Sequence, residues 1–145
     1  MGEPAPKVIA GEVLLAAESG AEADALHLLD RVLGALGVGS EALCEFRLAV
    51  VEACLNALEY GRPPVKVAVE AERGPDWVQL VVRVEDHGPG FSPSSVPPPQ
   101  LADKLASPRK RGWGLEIMRR FTDRLEVDSQ PGKTVVTLYR VFSGV

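Results

Sequence analysis

Cysteine and histidine are scarce in this chain, and their scarcity excludes a good deal. Cys44 and Cys54 are the only cysteines. They lie in what reads as a single helix, about 15 Å apart along its axis. A disulfide joins Cα atoms no more than about 7 Å apart. Both therefore read as reduced, core-type thiols, which fits the cytoplasm. With only His27 and His87 to add, no zinc constellation forms. Positive charge is not in excess either. Sixteen Lys and Arg stand against twenty Asp and Glu, for a net charge of -4. Without a basic field, non-specific binding to nucleic acid is disfavoured as the main activity, and no direct nucleic-acid partner is expected. No apolar run approaches the ~20 residues that a membrane span needs. The opening MGEPAPKVIAGEVLLAA lacks a basic segment followed by an apolar one, so no signal peptide is expected. Pro6 stands where a myristoylation motif wants Ser or Thr.

What is present is enough for one packed domain, read here as residues 1–145. The chain is 46% hydrophobic, and a domain of this size buries about 70% of the surface that its unfolded chain exposes. Residues 7–17 read as a strand, weakened by Gly11 and several alanines. Residues 21–36 place Ala25, Leu28, Leu29, Val32, Leu33 and Leu36 at helical spacing, with Gly37 and Gly39 beyond. Ser40 suits the N-cap of a second helix over 41–60, which Gly61 and Pro63-Pro64 end. Residues 65–72 and 77–85 alternate apolar and polar about a Gly74-Pro75-Asp76 turn, as a β-hairpin does. A proline-rich connection follows and closes on Arg109-Lys110-Arg111. Its central part, about 92–111, reads as a lid. Residues 113–122 predict a third helix. Residues 124–129 and 134–142 predict a last hairpin about Gln130-Pro131-Gly132-Lys133. Helices covering one face of a mixed, mostly antiparallel sheet make an α/β two-layer sandwich.

Three stretches could carry chemistry. From Leu48 to Leu58 the second helix is apolar nearly all round, so it is expected to be buried on several sides. Glu52 and Asn56 interrupt it on one face, one turn apart. Facing a pocket, Asn56 would offer its amide oxygen to a hard cation such as Mg²⁺. Glu52 would act as a general base, its pKa adjusted by burial. The plainer alternative is a hydrogen-bonded Glu–Asn pair, or a Glu52 that reaches solvent. Glu59, at the helix end, reads as solvated. In the second stretch, a strand runs into Asp86-His87-Gly88-Pro89-Gly90. Glycines there allow a ligand close to the backbone, and a fixed carboxylate at a strand end can accept a hydrogen bond from an exocyclic amine. The alternative is an ordinary Asp-Gly loop. The third is Arg109-Lys-Arg-Gly-Trp-Gly-Leu-Glu-Ile-Met118, where Gly112 and Gly114 open a helix whose unpaired N–H groups suit phosphate. Lys104, Arg109, Lys110 and Arg111 could add charge to that site, or form a solvated loop. His27 reads as a core or boundary residue. Trp77 and Trp113 read as packing, with Trp113 also placed to line a pocket.

In this order and spacing the three stretches resemble the ATP-binding domain shared by gyrase B, sensor histidine kinases, mismatch-repair ATPases and the heat-shock chaperone ATPase, over roughly residues 10–142. The resemblance implies the Bergerat-type sandwich. The two helices before Asn56 and the run Arg111-Gly-Trp-Gly-Leu-Glu-Ile-Met-Arg-Arg-Phe-Thr-Asp123 look most like the bacterial anti-sigma factor serine kinases. By that resemblance Asn56 holds magnesium and Glu52 activates the attacking hydroxyl. Asp86 reads adenine, with Gly88 and Gly90 as its turn. Arg111, Gly112, Gly114 and Leu115 belong to the phosphate-binding segment, and Thr134 lies beside the adenine pocket. The implied activity is ATP- and Mg²⁺-dependent phosphorylation of a serine or threonine on a STAS-type anti-sigma-factor antagonist in the cytoplasm, with a sigma factor as second partner. A homodimer is implied too, and an unpaired N-terminal strand is a natural interface for it. Two departures from the family pattern stand out. Tyr60-Gly61 replaces His-Gly or His-Ala, and Gly132-Lys133-Thr134-Val135 replaces Gly-Thr-Thr. A non-catalytic nucleotide-sensing module and a detached histidine-kinase catalytic domain use the same binding residues and remain as alternatives.

Overall fold

The computed structural model describes residues 5–18, 20–39, 43–90 and 111–144, with side chains from Gly114 onward in the last stretch. The expected lid and the Ser40 cap lie outside the described residues, apart from the backbone of Arg111 at the lid's end. Eight elements follow one another: β1 (Lys7–Leu15), α1 (Glu22–Ala35), α2 (Cys44–Tyr60), β2 (Val65–Arg73), β3 (Trp77–Asp86), α3 (Arg111–Arg120), β4 (Arg124–Gln130) and β5 (Lys133–Ser143). The strands form one sheet in the order β1-β2-β3-β5-β4. All four pairings are antiparallel.

Alternation along the strands fixes the layers. Val65, Val67, Val69 and Ala71 of β2, and Val78, Leu80, Val82 and Val84 of β3, are buried. They point to the same face, because successive side chains of a strand alternate. Helix α1 lies over β1 and β2, while α2 lies over β2, β3 and β5 and packs between α1 and α3. Being enclosed on several sides, α2 buries Phe46, Ala49, Val50, Ala53, Cys54 and Ala57. Removing any large member of this core, Phe46 for example, is expected to destabilise by about 3–5 kcal/mol.

The weakest strand signal has a packing cause. A Cβ at Gly11 would stand 2.7 Å from Leu28 Cδ1, so α1 closes directly on β1 at a residue with no side chain. The final hairpin turns at Pro131-Gly132, with Gly132 at φ +90°, the left-handed corner that a type II turn gives to glycine.

Three expectations need correction. His27 and Cys44 are exposed rather than in or beside the core. His27 stands two positions from both Ala25 and Leu29, and Cys44 two before Phe46. Each is therefore turned about 200° from the buried stripe of its helix. Leu48 is 43% exposed for the same reason, two positions from Phe46 and from Val50. Cys54 is buried as expected.

Candidate functional site

The site forms where α2, the end of β3, the start of β5 and α3 converge. Asn56 lies on the inner side of α2, 8% exposed. Among the described residues, its Nδ2 is the one buried side-chain N or O atom without a hydrogen-bond partner. Such an orphan is destabilising by about 1–3 kcal/mol unless a ligand or water meets it. Glu52, half-buried, lies one turn earlier on the same side. Helix α3 approaches both at Gly114. A Cβ there would stand 2.9 Å from Asn56 Nδ2 and 3.3 Å from Glu52 Oε2. Only a glycine leaves that space, and it adjoins the first turn of α3, where backbone N–H groups lack intrahelical partners.

Asp86 closes the other end. It is the last residue of β3 and 7% exposed. Its Oδ1 accepts a hydrogen bond from the Gly88 N–H at 2.8 Å. Two glycines wrap it. A Cβ on Gly61 would lie 2.4 Å from Asp86 Cγ, and one on Gly88 would lie 2.7 Å from Gly61 Cα. The chain leaving α2 therefore passes directly over the carboxylate. The His87 N–H donates to Arg62 O at 3.0 Å, and the Gly132 N–H donates to Gly88 O at 3.0 Å. These two bonds fasten the 87–90 loop to α2's exit and to the β4–β5 turn.

Thr134, 1% exposed, is the cross-strand partner of Asp86. Its hydroxyl lies 2.9 Å from Ser129 Oγ. Asn56, Asp86, Gly90 and Thr134 line one cleft with Tyr60, Gly61 and Met118. Four predicted site residues are thereby brought together, with Glu52 and Gly114 at the Asn56 end and Gly88 beneath Asp86. Leu115 differs, because its side chain is 1% exposed and belongs to the core. It anchors α3 rather than facing the cleft. Arg111 and Gly112 open α3. The side chains of Arg111 and Trp113, and all of Lys104, Arg109 and Lys110, lie outside the described residues.

Sequence reasoning missed Tyr60, Gly61, Met118 and Ser129 as parts of the site. Tyr60 and Gly61 were visible only as a helix end and as a departure from the family pattern. Nothing local to Ser129 shows that it faces Thr134, since the strand register makes that pairing.

Cys54 lies on the core side of α2. Burial, with a smaller contribution from the Glu22 charge, pushes its thiol up to about 12. It is a packing residue and not a nucleophile.

The family model described as a histidine kinase-like ATPase domain matches residues 15–140. An anti-sigma F factor of Clostridium kluyveri is 26% identical over 106 residues, 72% of this chain and 75% of that protein. Among solved structures, the RsbU and RsbW domains of a Mycobacterium tuberculosis protein superpose with a TM-score of 0.61 at 18% identity, over 91% of this chain. This chain spans about a third (32%) of that one. The SiaB–SiaC complex of Pseudomonas aeruginosa superposes with a TM-score of 0.51 at 16% identity, over 91% of this chain and 89% of that one. At these identities the two structures speak for the fold.

Proposed function

The chain belongs to the histidine kinase-like ATPase domain family, and from that premise we propose that it is an ATP- and Mg²⁺-dependent serine/threonine kinase of the anti-sigma-factor type. The observation that carries the reading is the Glu52–Asn56–Gly114 arrangement. It sets a carboxylate, an orphaned buried amide and a helix start around a space that a single Cβ would fill. The same cleft ends on the Asp86–Thr134 pair.

The residues fit both a triphosphate and its cation. Mg²⁺ takes few protein ligands and completes its shell with phosphate and water oxygens. One asparagine oxygen therefore suffices, and an amide presents either its oxygen or its nitrogen on turning over. When bound, the cation neutralises charge on the phosphates. Each protein group then has a defined task. Asp86 accepts a hydrogen bond from the 6-amino group of adenine. The first turn of α3, which Gly114 completes, donates to phosphate oxygens. Glu52 accepts the proton of a serine hydroxyl as that oxygen bonds to the γ-phosphorus and ADP leaves. Nothing in binding alone asks for a carboxylate at position 52, which favours an enzyme over a sensing module.

The partners follow from the same reading: a STAS-type antagonist that receives the phosphate, and a sigma factor, both in the cytoplasm. Among the described residues no helix is long and apolar enough to cross a membrane. Homodimerisation through β1 belongs to the proposal as well. That strand is an edge of the sheet, and it carries Val8 and Leu14, 55% and 63% exposed.

Incubation with γ-labelled ATP, Mg²⁺ and a STAS-domain antagonist tests the reading. Acid-stable label on a serine or threonine of the antagonist is expected. ATP binding without transfer would make the chain a nucleotide-sensing module. Acid-labile label on a histidine would make it a detached histidine-kinase catalytic domain.

A further inference from the structure

Adenine and the 6-oxopurines differ at two adjacent atoms. Adenine offers a 6-amino donor beside the N1 acceptor, whereas hypoxanthine and guanine offer an O6 acceptor beside an N1–H donor. The Asp86 carboxylate only accepts. It matches the amino group and opposes O6. The neighbouring position belongs to Thr134, the cross-strand partner of Asp86. A threonine hydroxyl both donates and accepts, so by itself it would serve N1 of adenine and N1–H of a 6-oxopurine equally well. Something must orient its proton for the second atom to be read.

Ser129 is placed to do so. It faces Thr134 across the β4–β5 ladder, with the two hydroxyl oxygens 2.9 Å apart. Thr134 is 1% exposed, so bulk water does not compete for that bond. Gly90, at φ +84°, presses the loop against the pair. A Cβ there would stand 2.4 Å from Ser129 Oγ and 3.5 Å from Thr134 Oγ1. The bond from the Gly132 N–H to Gly88 O holds hairpin and loop together.

We propose that Ser129 is a positioning residue for base selection: its hydroxyl donates to Thr134 Oγ1, leaving the Thr134 proton to point at the base and be accepted by N1 of adenine. The proposal rests on the reading that this cleft takes ATP. Ser129 itself touches no substrate in this scheme. It acts through Thr134, and with Asp86 it completes a two-atom code in which acceptor and donor are both fixed.

The test is calorimetric binding of ATP and of ITP to the full chain with Mg²⁺, for wild type and variants. Melting of the unliganded proteins checks that each variant is folded. Wild type is expected to prefer ATP. Ser129→Ala is expected to lower that preference about tenfold, the scale of one misdirected hydrogen bond. Ser129→Thr is expected to restore it. Ser129→Cys keeps the branching but is bulkier and donates weakly, and is expected to lose preference as Ala does. Thr134→Ala is expected to lose as much as Ser129→Ala, and the double variant no more, because the two hydroxyls act as one unit. An unchanged ATP-to-ITP preference in folded Ser129→Ala and Ser129→Cys overturns the proposal and leaves the ATP reading intact. Additive losses in the double variant overturn it likewise. A wild-type chain that binds neither nucleotide overturns the ATP reading and this proposal with it.

Discussion

Gly114 meets Asn56 so closely that a methyl group on the glycine would stand 2.9 Å from the amide nitrogen. Two helices far apart in sequence thus bound the same small space. Gly114→Ala should separate binding from stability. Alanine is favoured over glycine within a helix by about 1 kcal/mol, and the atom it would strike is the movable end of a side chain. The melting temperature is expected to hold or rise, while Mg²⁺-ATP affinity falls by about tenfold or more. Calorimetry and thermal melting on the same preparation check both halves.

Glu52→Ala is expected to bind ATP nearly as wild type does and to lose phosphoryl transfer by about a hundredfold or more, the usual range for a general base. Single-turnover labelling of the antagonist, beside a binding isotherm, measures the two separately. Wild-type transfer rates in this variant would remove Glu52 from the chemistry.

Asn56→Ala leaves the fold without a buried donor that has no partner among the described residues. Stability without ligand is therefore expected to change little or to increase, contrary to the usual effect of cutting a buried side chain. Nucleotide binding is expected to lose its Mg²⁺ dependence. ATP titrations with and without EDTA, together with a denaturation curve, decide the matter.

Gly61→Ala pushes a methyl group to within 2.4 Å of Asp86 Cγ, with Ala57 O a further 2.6 Å neighbour. Neither neighbour is a free chain end, so the carboxylate must move. Weaker ATP binding and reduced discrimination against GTP are expected, as for Asp86→Asn, and Gly61→Ala should also lower the melting temperature. A variant with wild-type nucleotide selectivity would show that Asp86 is not held by this glycine.

The buried Cys54 makes a prediction about alkaline pH. Its thiol is raised from 9.0 to about 12 in the fold. Above pH 9 the unfolded chain releases this proton while the folded chain keeps it. The unfolded state then binds fewer protons, so stability falls as pH rises from 9 toward 12. Cys54→Ala is expected to flatten that part of the pH–stability curve, which denaturant melts at several pH values would show. In the native protein, thiol reagents are expected to modify the exposed Cys44 and to spare Cys54.

Strand and helix positions were legible from the sequence wherever burial is one-sided. The alternation in 65–72 and the helical spacing from Ala25 to Leu36 place β2 and α1 within a residue or two. The depth of His27 and Cys44 was misread from their apolar neighbours in sequence, although helical spacing carries the answer: each stands about 200° from the buried stripe of its helix. At the site, Glu52 and Asn56 announce themselves as polar groups set in an apolar run, and Asp86 as a carboxylate where a strand meets a glycine-rich turn. Gly61 and Ser129 do not. Their importance depends on what lies opposite, and that is settled by register and by the path of the chain as it leaves α2.

Helix α2 has one side in the hydrophobic interior, through Phe46, Val50 and Cys54, and another in the cleft, through Asn56. Selection cannot adjust one side freely of the other, because a repacked interior would rotate or lift the amide and carboxylate a single turn away. Variation among descendants of this chain should therefore gather on the open sheet surface and the outer side of α1, where surface contacts can diverge while α2 stays still.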